Sequence, residues 1–379
     1  MPAAAKPPFR ADHVGSFLRP DNLKDARNSF REGKISRDEL TGLEDEAIKD
    51  VVRLQKDAGL SSATDGELRR TSWSGDFLTA IGNVVTRPSQ FTLRFQTKDG
   101  ERRAQPPGFY VEGKLSLPEE GIFTDHFRYL KSQCSDDVTP KLTIPSPTML
   151  HFRSGRAGVD EKAYPTMEEY FDDLARIYSE EMHAVAKEGC SYLQIDDTNF
   201  AYLCDRELRE EVRTIIGEDP DALTPLYAEL LSKCTANRPS GMTVCMHVCR
   251  GNSASAWVGS GGYEPVAEAL FNKADIDGYF LEFDTDRAGG FDPLRFLPKG
   301  DKRVILGLVS SKFPEMEAKD DLKRRIDEAS KFAPLEQLCL STQCGFASTE
   351  VGNAITFDDQ RRKLELVVQT AEEVWGTAA

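Results

Sequence analysis

Eight short β-rich runs alternate with amphipathic helical stretches, and this alternation constrains the fold more than any other feature of the chain. The runs are Ala11–Phe17, Leu60–Asp65, Lys141–Ser146, Tyr192–Asp197, Met242–Val248, Gly278–Asp284, Arg303–Val309 and Leu338–Gln343. Helical spacing is plain in Thr41–Ala58, where Leu43, Ala47, Val51, Leu54 and Ala58 recur at intervals of three and four. Met167–Lys187 repeats the pattern with Tyr170, Leu174 and Ile177, and Thr166 with Glu169 reads as a capping box at its start. Eight such units predict an α/β fold, a closed (β/α)8 TIM barrel. A doubly wound open sheet is the rival, weakened by the lack of a Gly-x-Gly-x-x-Gly turn after the first strand.

The 379 residues read as a single barrel domain spanning 1–379, with its excess length at 84–122, between strands 2 and 3. There Phe91–Phe95 and Phe109–Ser116 alternate like the arms of a hairpin. If Phe123–Gln133 is the closing helix, the insertion leaves from the C-terminal rim, as a lid or as decoration. A net charge of −15 argues against nucleic-acid or anionic-membrane partners. No run approaches the ~18 apolar residues of a membrane span. Met1–Arg10 lacks the apolar centre of a secretory signal, so the eight cysteines read as reduced thiols and the expected location is cytoplasmic.

Side chains alternate across a strand, and in a barrel one face meets the helices while the other points inward. In the fourth strand Leu193 and Ile195 take the helix face, which turns Gln194 and Asp196 inward. In the fifth, Val244, Met246 and Val248 face out and leave Cys245, His247 and Cys249 inside. In the sixth, Tyr279, Leu281 and Phe283 face out, with Glu282 and Asp284 inside. In the eighth, Leu340, Thr342 and Cys344 share one parity. These polar residues fall near the C-terminal ends of their strands, where such barrels carry active sites; Ser16, Glu67 and Ser146 follow the same rule.

His247, Cys249, Glu282 and Cys344 together form a tetrahedral N/S/O ligand set, and thiolates with imidazole favour zinc over magnesium or calcium. The bland readings are a satisfied core histidine and small buried cysteines, and Asp284 is an alternative to Glu282. Cys245 lies a layer deeper and reads as core.

The segments Phe9–Pro20 (FRADHVGSFLRP), Thr64–Arg70 (TDGELRR), Tyr192–Asp197 (YLQIDD), Cys245–Asn252 (CMHVCRGN), Leu281–Arg287 (LEFDTDR) and Ser341–Gly345 (STQCG) resemble the catalytic barrel of cobalamin-independent methionine synthase. The likeness is strongest to short single-barrel relatives and runs from about Phe9 to Trp375. It implies a catalytic zinc on His247, Cys249, Glu282 and Cys344. It also implies a homocysteine site in which Glu67 and Asp196 hold the ammonium while Ser16 and nearby backbone hold the carboxylate. Rim salt bridges to Arg69 or Arg70 are the other reading of Glu67 and Asp196. The expected reaction is methyl transfer to a homocysteine-like thiol from a folate-type or other methyl donor.

Two departures bear on the donor. The long enzyme's N-terminal barrel, which helps accommodate polyglutamylated folate, has no counterpart here. Its Asp-x-His-Ser run after the seventh strand is replaced by Leu308-Val309-Ser310-Ser311-Lys312, leaving Ser311 or Lys312 as substitutes or a different donor. Competing functions are thiol alkylation of coenzyme M by an epoxide, non-catalytic zinc or thiol binding, and zinc-free decarboxylation of a porphyrin precursor. Arg250 reads as a contact to an anionic donor or a pair to an acidic neighbour. Trp73 and Phe77 read as a stacking platform or as core.

Overall fold

The computed structural model describes residues 6–379. Eight parallel strands form the central sheet: β1 (Ala11–Asp12), β2 (Ser62–Ala63), β3 (Thr139–Pro145), β4 (Tyr192–Asp197), β5 (Thr243–Val248), β6 (Gly278–Glu282), β7 (Arg303–Val309) and β8 (Leu338–Thr342). Their order around the sheet is β1, β8, β7, β6, β5, β4, β3, β2, with helices between successive strands, so the fold is a nearly closed (β/α)8 barrel. At the β1–β2 seam the Thr64 hydroxyl donates to Gly15 O (2.6 Å) and Phe17 N donates to Gly66 O (3.0 Å).

β1 and β2 are two residues each, far shorter than the expected runs 11–17 and 60–65. The reason is local. Gly15 sits at φ +129°, and a Cβ there would lie 2.8 Å from Thr143 Cγ2. Gly66 follows at φ +67°. Both segments leave extended geometry to bend across the barrel mouth.

The helix expected over Thr41–Ala58 begins earlier, spanning Arg37–Asp57. Ser36 caps it reciprocally: its hydroxyl accepts from Glu39 N (3.2 Å) and Glu39 accepts from Ser36 N (2.8 Å). Met167–Lys187 is helical as expected, but Thr166 makes only half of a capping box, accepting from Glu169 N at 3.2 Å.

Inside the barrel, Phe9, Val14, Tyr192, Cys245, Phe280, Ile305 and Cys339 form an apolar plug. At about 1.5–3 kcal/mol for each large side chain fully buried, this layer is a firm base for whatever sits above it. Leu193, Ile195, Val244, Met246, Val248, Tyr279, Leu281 and Phe283 join the main core instead, as the strand alternation requires. β8 corrects the sequence reading. Cys339 belongs to the interior plug and Leu340 to the main core, so Leu340 and Thr342 are not on the inward face. Cys344 reaches the interior because the strand ends at Thr342 beside a register shift in β7 between Gly307 and Val309.

The 84–122 insertion is not a hairpin of Phe91–Phe95 with Phe109–Ser116. Gly82–Pro88 pairs antiparallel with Pro107–Ser116, and Leu93–Thr97 pairs with Gly100–Ala104. The second pair extends through Gln96 to Trp257, joining a small hairpin (Asn252–Ser253 with Ala256–Trp257) that follows β5. Alternation alone identifies such strands but not their partners.

Candidate metal centre and its cavity

His247 and Cys249 arrive together on the inward face at the end of β5, Glu282 closes β6, and Cys344 sits two residues beyond β8. All four are buried, and one ligand atom from each lies within 4.8 Å of the others. The Cys249 and Cys344 sulfurs are 3.5 Å apart. Two sulfurs bound ~2.3 Å from one tetrahedral zinc stand about 3.8 Å apart, so little movement separates this arrangement from a ligand sphere. His247 Nδ1 donates to Phe280 O (3.3 Å), which fixes the ring and leaves Nε2 buried without a partner. An imidazole nitrogen left bare beside two sulfurs and a carboxylate fits a soft divalent cation. Asp284 lies outside this cluster and accepts from Arg287 (3.0 Å).

The charges around the cluster are arranged for anions. The Glu282 carboxylate accepts from Arg250 N (2.7 Å), Arg287 (2.6 Å) and Gln343 (3.2 Å). Burial works against its charge, but Lys312, Arg287 and His247 hold its pKa down at about 2. The Cys249 hydrogen bond, with His247, holds the Cys344 thiol well below its ordinary range despite burial. That same hydrogen bond, with burial, drives Cys249 well above it. Lys312, almost wholly buried, has no hydrogen-bond partner for Nζ. Ser311 is committed elsewhere, donating to Gln343 Oε1 and Gly345 O (both 3.0 Å).

Above the cluster opens a cavity of about 200 Å³, bordered by His247, Cys249 and Cys344 and also by Ser16, Glu67 and Asp196. Glu67 occupies a left-handed conformation (φ +58°), unusual for a residue with a side chain. Its backbone is pinned there: Asp65 accepts from Glu67 N (2.9 Å) and Arg19 donates to Glu67 O (3.0 Å). Glu67 Oε1 accepts from Thr143 (3.0 Å), while Oε2 is buried without a partner. Burial raises its pKa against the pull of Arg70 and Arg19. Asp196 accepts from Gln194 (2.6 Å), and burial pushes it up to about 7 although His247 pulls the other way. Ser16 packs against Gly345, where a Cβ would fall 1.9 Å from its hydroxyl.

The salt-bridge reading holds for Glu67, which faces Arg70, and not for Asp196, which has no ion-pair partner among the described residues. Arg69 pairs with Glu44 and Asp45, and Arg70 lies 3.7 Å from Glu67 while donating to Thr143 O (2.8 Å). Ser146 is not at the cavity; it caps a short turn, accepting from Thr148 N (3.3 Å). Its Ser-Pro sequence carried that signal. Arg250 has no acidic ion-pair partner among the described residues, and its guanidinium lies over the Tyr263 ring at 4.4 Å. Phe77 is core against Phe123 and Tyr178, whereas Trp73 borders the cavity. The insertion supplies Leu93, Phe95, Pro106 and Pro107 to the cavity wall, which Arg153 and Tyr202 also border.

The fold and site define a class: a (β/α)8 barrel with a buried His-Cys-Glu-Cys cluster that could hold a thiophilic metal beside a small-molecule cavity. Comparison with known proteins narrows this. The family described as cobalamin-independent synthase, catalytic domain, matches residues 9–373, and the chain belongs to that family. The uncharacterized protein YxjH of Bacillus subtilis is 42% identical over 370 residues, covering 98% of this chain and 96% of that one. A structure from Listeria monocytogenes, provisionally described as a vitamin-B12-independent methionine synthase, is 38% identical with a TM-score of 0.78, covering 97% of this chain and 98% of that chain. A 5-methyltetrahydropteroyltriglutamate–homocysteine methyltransferase of Bacillus licheniformis is 22% identical over 97% of this chain, which spans 43% of that relative's length.

Proposed function

We propose that the protein is a zinc-dependent methyltransferase that converts the thiol of homocysteine to methionine. The observation that carries this reading is the convergence of His247, Cys249, Glu282 and Cys344 beside a cavity whose wall includes the buried carboxylates of Glu67 and Asp196. Family membership supports the reaction class.

These four residues would hold the zinc. Zinc bound there would keep the substrate sulfur as thiolate, a form that a free thiol of pKa ~8.5 populates only slightly at neutral pH. Glu67 and Asp196 receive the substrate ammonium, whose positive charge restores to both the ionisation that burial opposes. Ser16 and adjoining backbone receive its carboxylate. His247, held by Phe280 O, presents Nε2 inward. Two thiolates and a carboxylate outweigh a divalent cation by one charge, and Lys312 offsets that excess. Leu93, Phe95, Pro106 and Pro107 act as a lid that keeps bulk water from the sulfur.

The methyl donor is a folate-type or other methyl carrier entering from the insertion side. A sulfonate thiol such as coenzyme M fits poorly, because Glu67 and Asp196 would repel it. All eight cysteines are unpaired, which suits a cytoplasmic setting, and no helix among the described residues is long and apolar enough to cross a membrane. The test is methionine formation from homocysteine with a panel of methyl donors, read by mass spectrometry. Product is expected with one of them; no product with any donor contradicts the proposal.

A further inference from the structure

Among the described residues Arg153 is the one arginine or lysine on the cavity wall. It follows the short turn Pro147–Leu150 after β3, and only 7% of it is exposed. One guanidinium nitrogen donates to Pro107 O (3.1 Å), at the start of an insertion strand, and Nε is buried with no partner. Burial depresses its pKa, and the polar neighbour that opposes this is Tyr202, which borders the same cavity.

Other buried arginines near the barrel mouth also leave Nε without a partner, but each has carboxylates, several protein oxygens or an aromatic ring against its guanidinium. Arg27 pairs with Glu44 and Glu350, and Arg287 with Glu282 and Asp284. Arg19 donates to three backbone carbonyls, and Arg70 to both oxygens of Thr143. Arg250, though without a hydrogen-bonded partner, covers the Tyr263 ring and does not border the cavity. Arg153 alone combines burial, no carboxylate partner among the described residues, and a place on the wall. A buried guanidinium without a counter-charge is costly, and a planar fork of donors is the geometry that takes up a carboxylate.

On the reading above Ser16 and adjoining backbone receive the substrate carboxylate, which leaves Arg153, tied to Pro107 of the insertion beside Leu93 and Phe95 on the cavity wall, without an assigned anion. Resting on the methyl-transfer reading above, we infer that Arg153, with the Tyr202 hydroxyl beside it, binds a carboxylate of the methyl donor. The donor is therefore an anionic molecule whose remaining surface suits Trp73, Leu93 and Phe95. Two sources share this chemistry: the glutamyl carboxylate of a folate and the carboxylate of a methylated sulfonium amino acid.

The experiment is calorimetry on the zinc-loaded protein and on Arg153→Gln and Arg153→Lys. The probes are 5-methyltetrahydrofolate, S-methylmethionine, homocysteine, and a 5-methyltetrahydropterin lacking the glutamyl group. One of the two carboxylate donors is expected to bind the wild type and to weaken about 10- to 100-fold in Arg153→Gln, with partial recovery in Arg153→Lys. Homocysteine affinity, zinc content and melting temperature are expected to stay unchanged. If the folate is the donor, the pterin probe binds weakly and equally to wild type and variant.

Equal donor binding by wild type and Arg153→Gln overturns the inference, as does weakened homocysteine binding in its place. Equal weakening of folate and pterin also overturns it, showing that Arg153 merely anchors Pro107. Binding of neither carboxylate donor to the wild type overturns it too. Failure of the underlying reading looks different: homocysteine then does not bind the wild-type protein at all.

Discussion

The floor of this barrel is lined by inward strand faces and its mouth largely by the loops beyond them, and the two treat buried polar groups differently. On the floor, Asp12 accepts from Lys141 (3.1 Å), Tyr192 (2.6 Å), Ser62 (3.2 Å) and His13 N (2.8 Å), and Lys141 also donates to His13 O (2.6 Å). Each charge there has its counterpart. At the mouth, His247 Nε2, Glu67 Oε2, Arg153 Nε and Lys312 Nζ are buried without a hydrogen-bond partner. Paired groups hold a structure together, whereas unpaired ones are costly unless something else binds them. Polar residues inside the barrel are thus no guide to function until their partners are counted. The His13 ring is the floor's exception, both its nitrogens unpartnered and its pKa held at about 3 by burial and Lys141, so it stays neutral.

This contrast can be broken in four ways. The largest effect is expected at the mouth: His247→Ala or Cys344→Ala should abolish bound metal and activity while circular dichroism stays native. Full metal in both variants removes the centre. On the floor, Lys141→Met alone should cost about 3–5 kcal/mol in urea unfolding, because it strands a buried carboxylate. The double variant Asp12→Asn with Lys141→Met should recover much of that loss, and zinc content should not change in either.

Next come the substrate carboxylates. Glu67→Gln and Asp196→Asn should each raise the KM for homocysteine about 10- to 100-fold, with zinc retained and stability within about 1 kcal/mol of wild type. A stability loss as large as the floor variant's would show that the two regions do not differ. The smallest effect concerns pH. Burial holds the His151 pKa down at about 4, so the unfolded chain binds a proton there before the folded one does. Stability from this residue is present above the unfolded value of ~6.5 and is lost as pH falls toward 4. His151→Gln should remove up to roughly 1 kcal/mol per pH unit of that acid sensitivity, read from urea unfolding at pH 7 and pH 5.

Much of this was legible in the sequence because barrel strands place polar side chains at predictable parity and at one end. β4 and β7 have the expected bounds, and the four metal-competent residues do converge. The misreadings share a cause: hydrogen bonding beyond the strand overrides its alternation. Cys344 turns inward through a strand end and a bulge rather than through the pleat, so the parity it shares with Leu340 and Thr342 does not set its direction. Ser146 was drawn off by a cap, and the insertion strands chose partners that no local pattern specifies. Lys141 lies on the inward face because Leu142 and Ile144 join the main core, a parity that the alternation in β3 carries. Arg153 lies in a loop, where periodicity says nothing.

X-ray absorption at the zinc edge of the purified protein, with and without homocysteine, tests the metal-centred assignment most directly. Two sulfur neighbours and two lighter ones are expected at rest, rising to three sulfurs when homocysteine is added. Absence of zinc, or a sulfur count that homocysteine leaves unchanged, would contradict it.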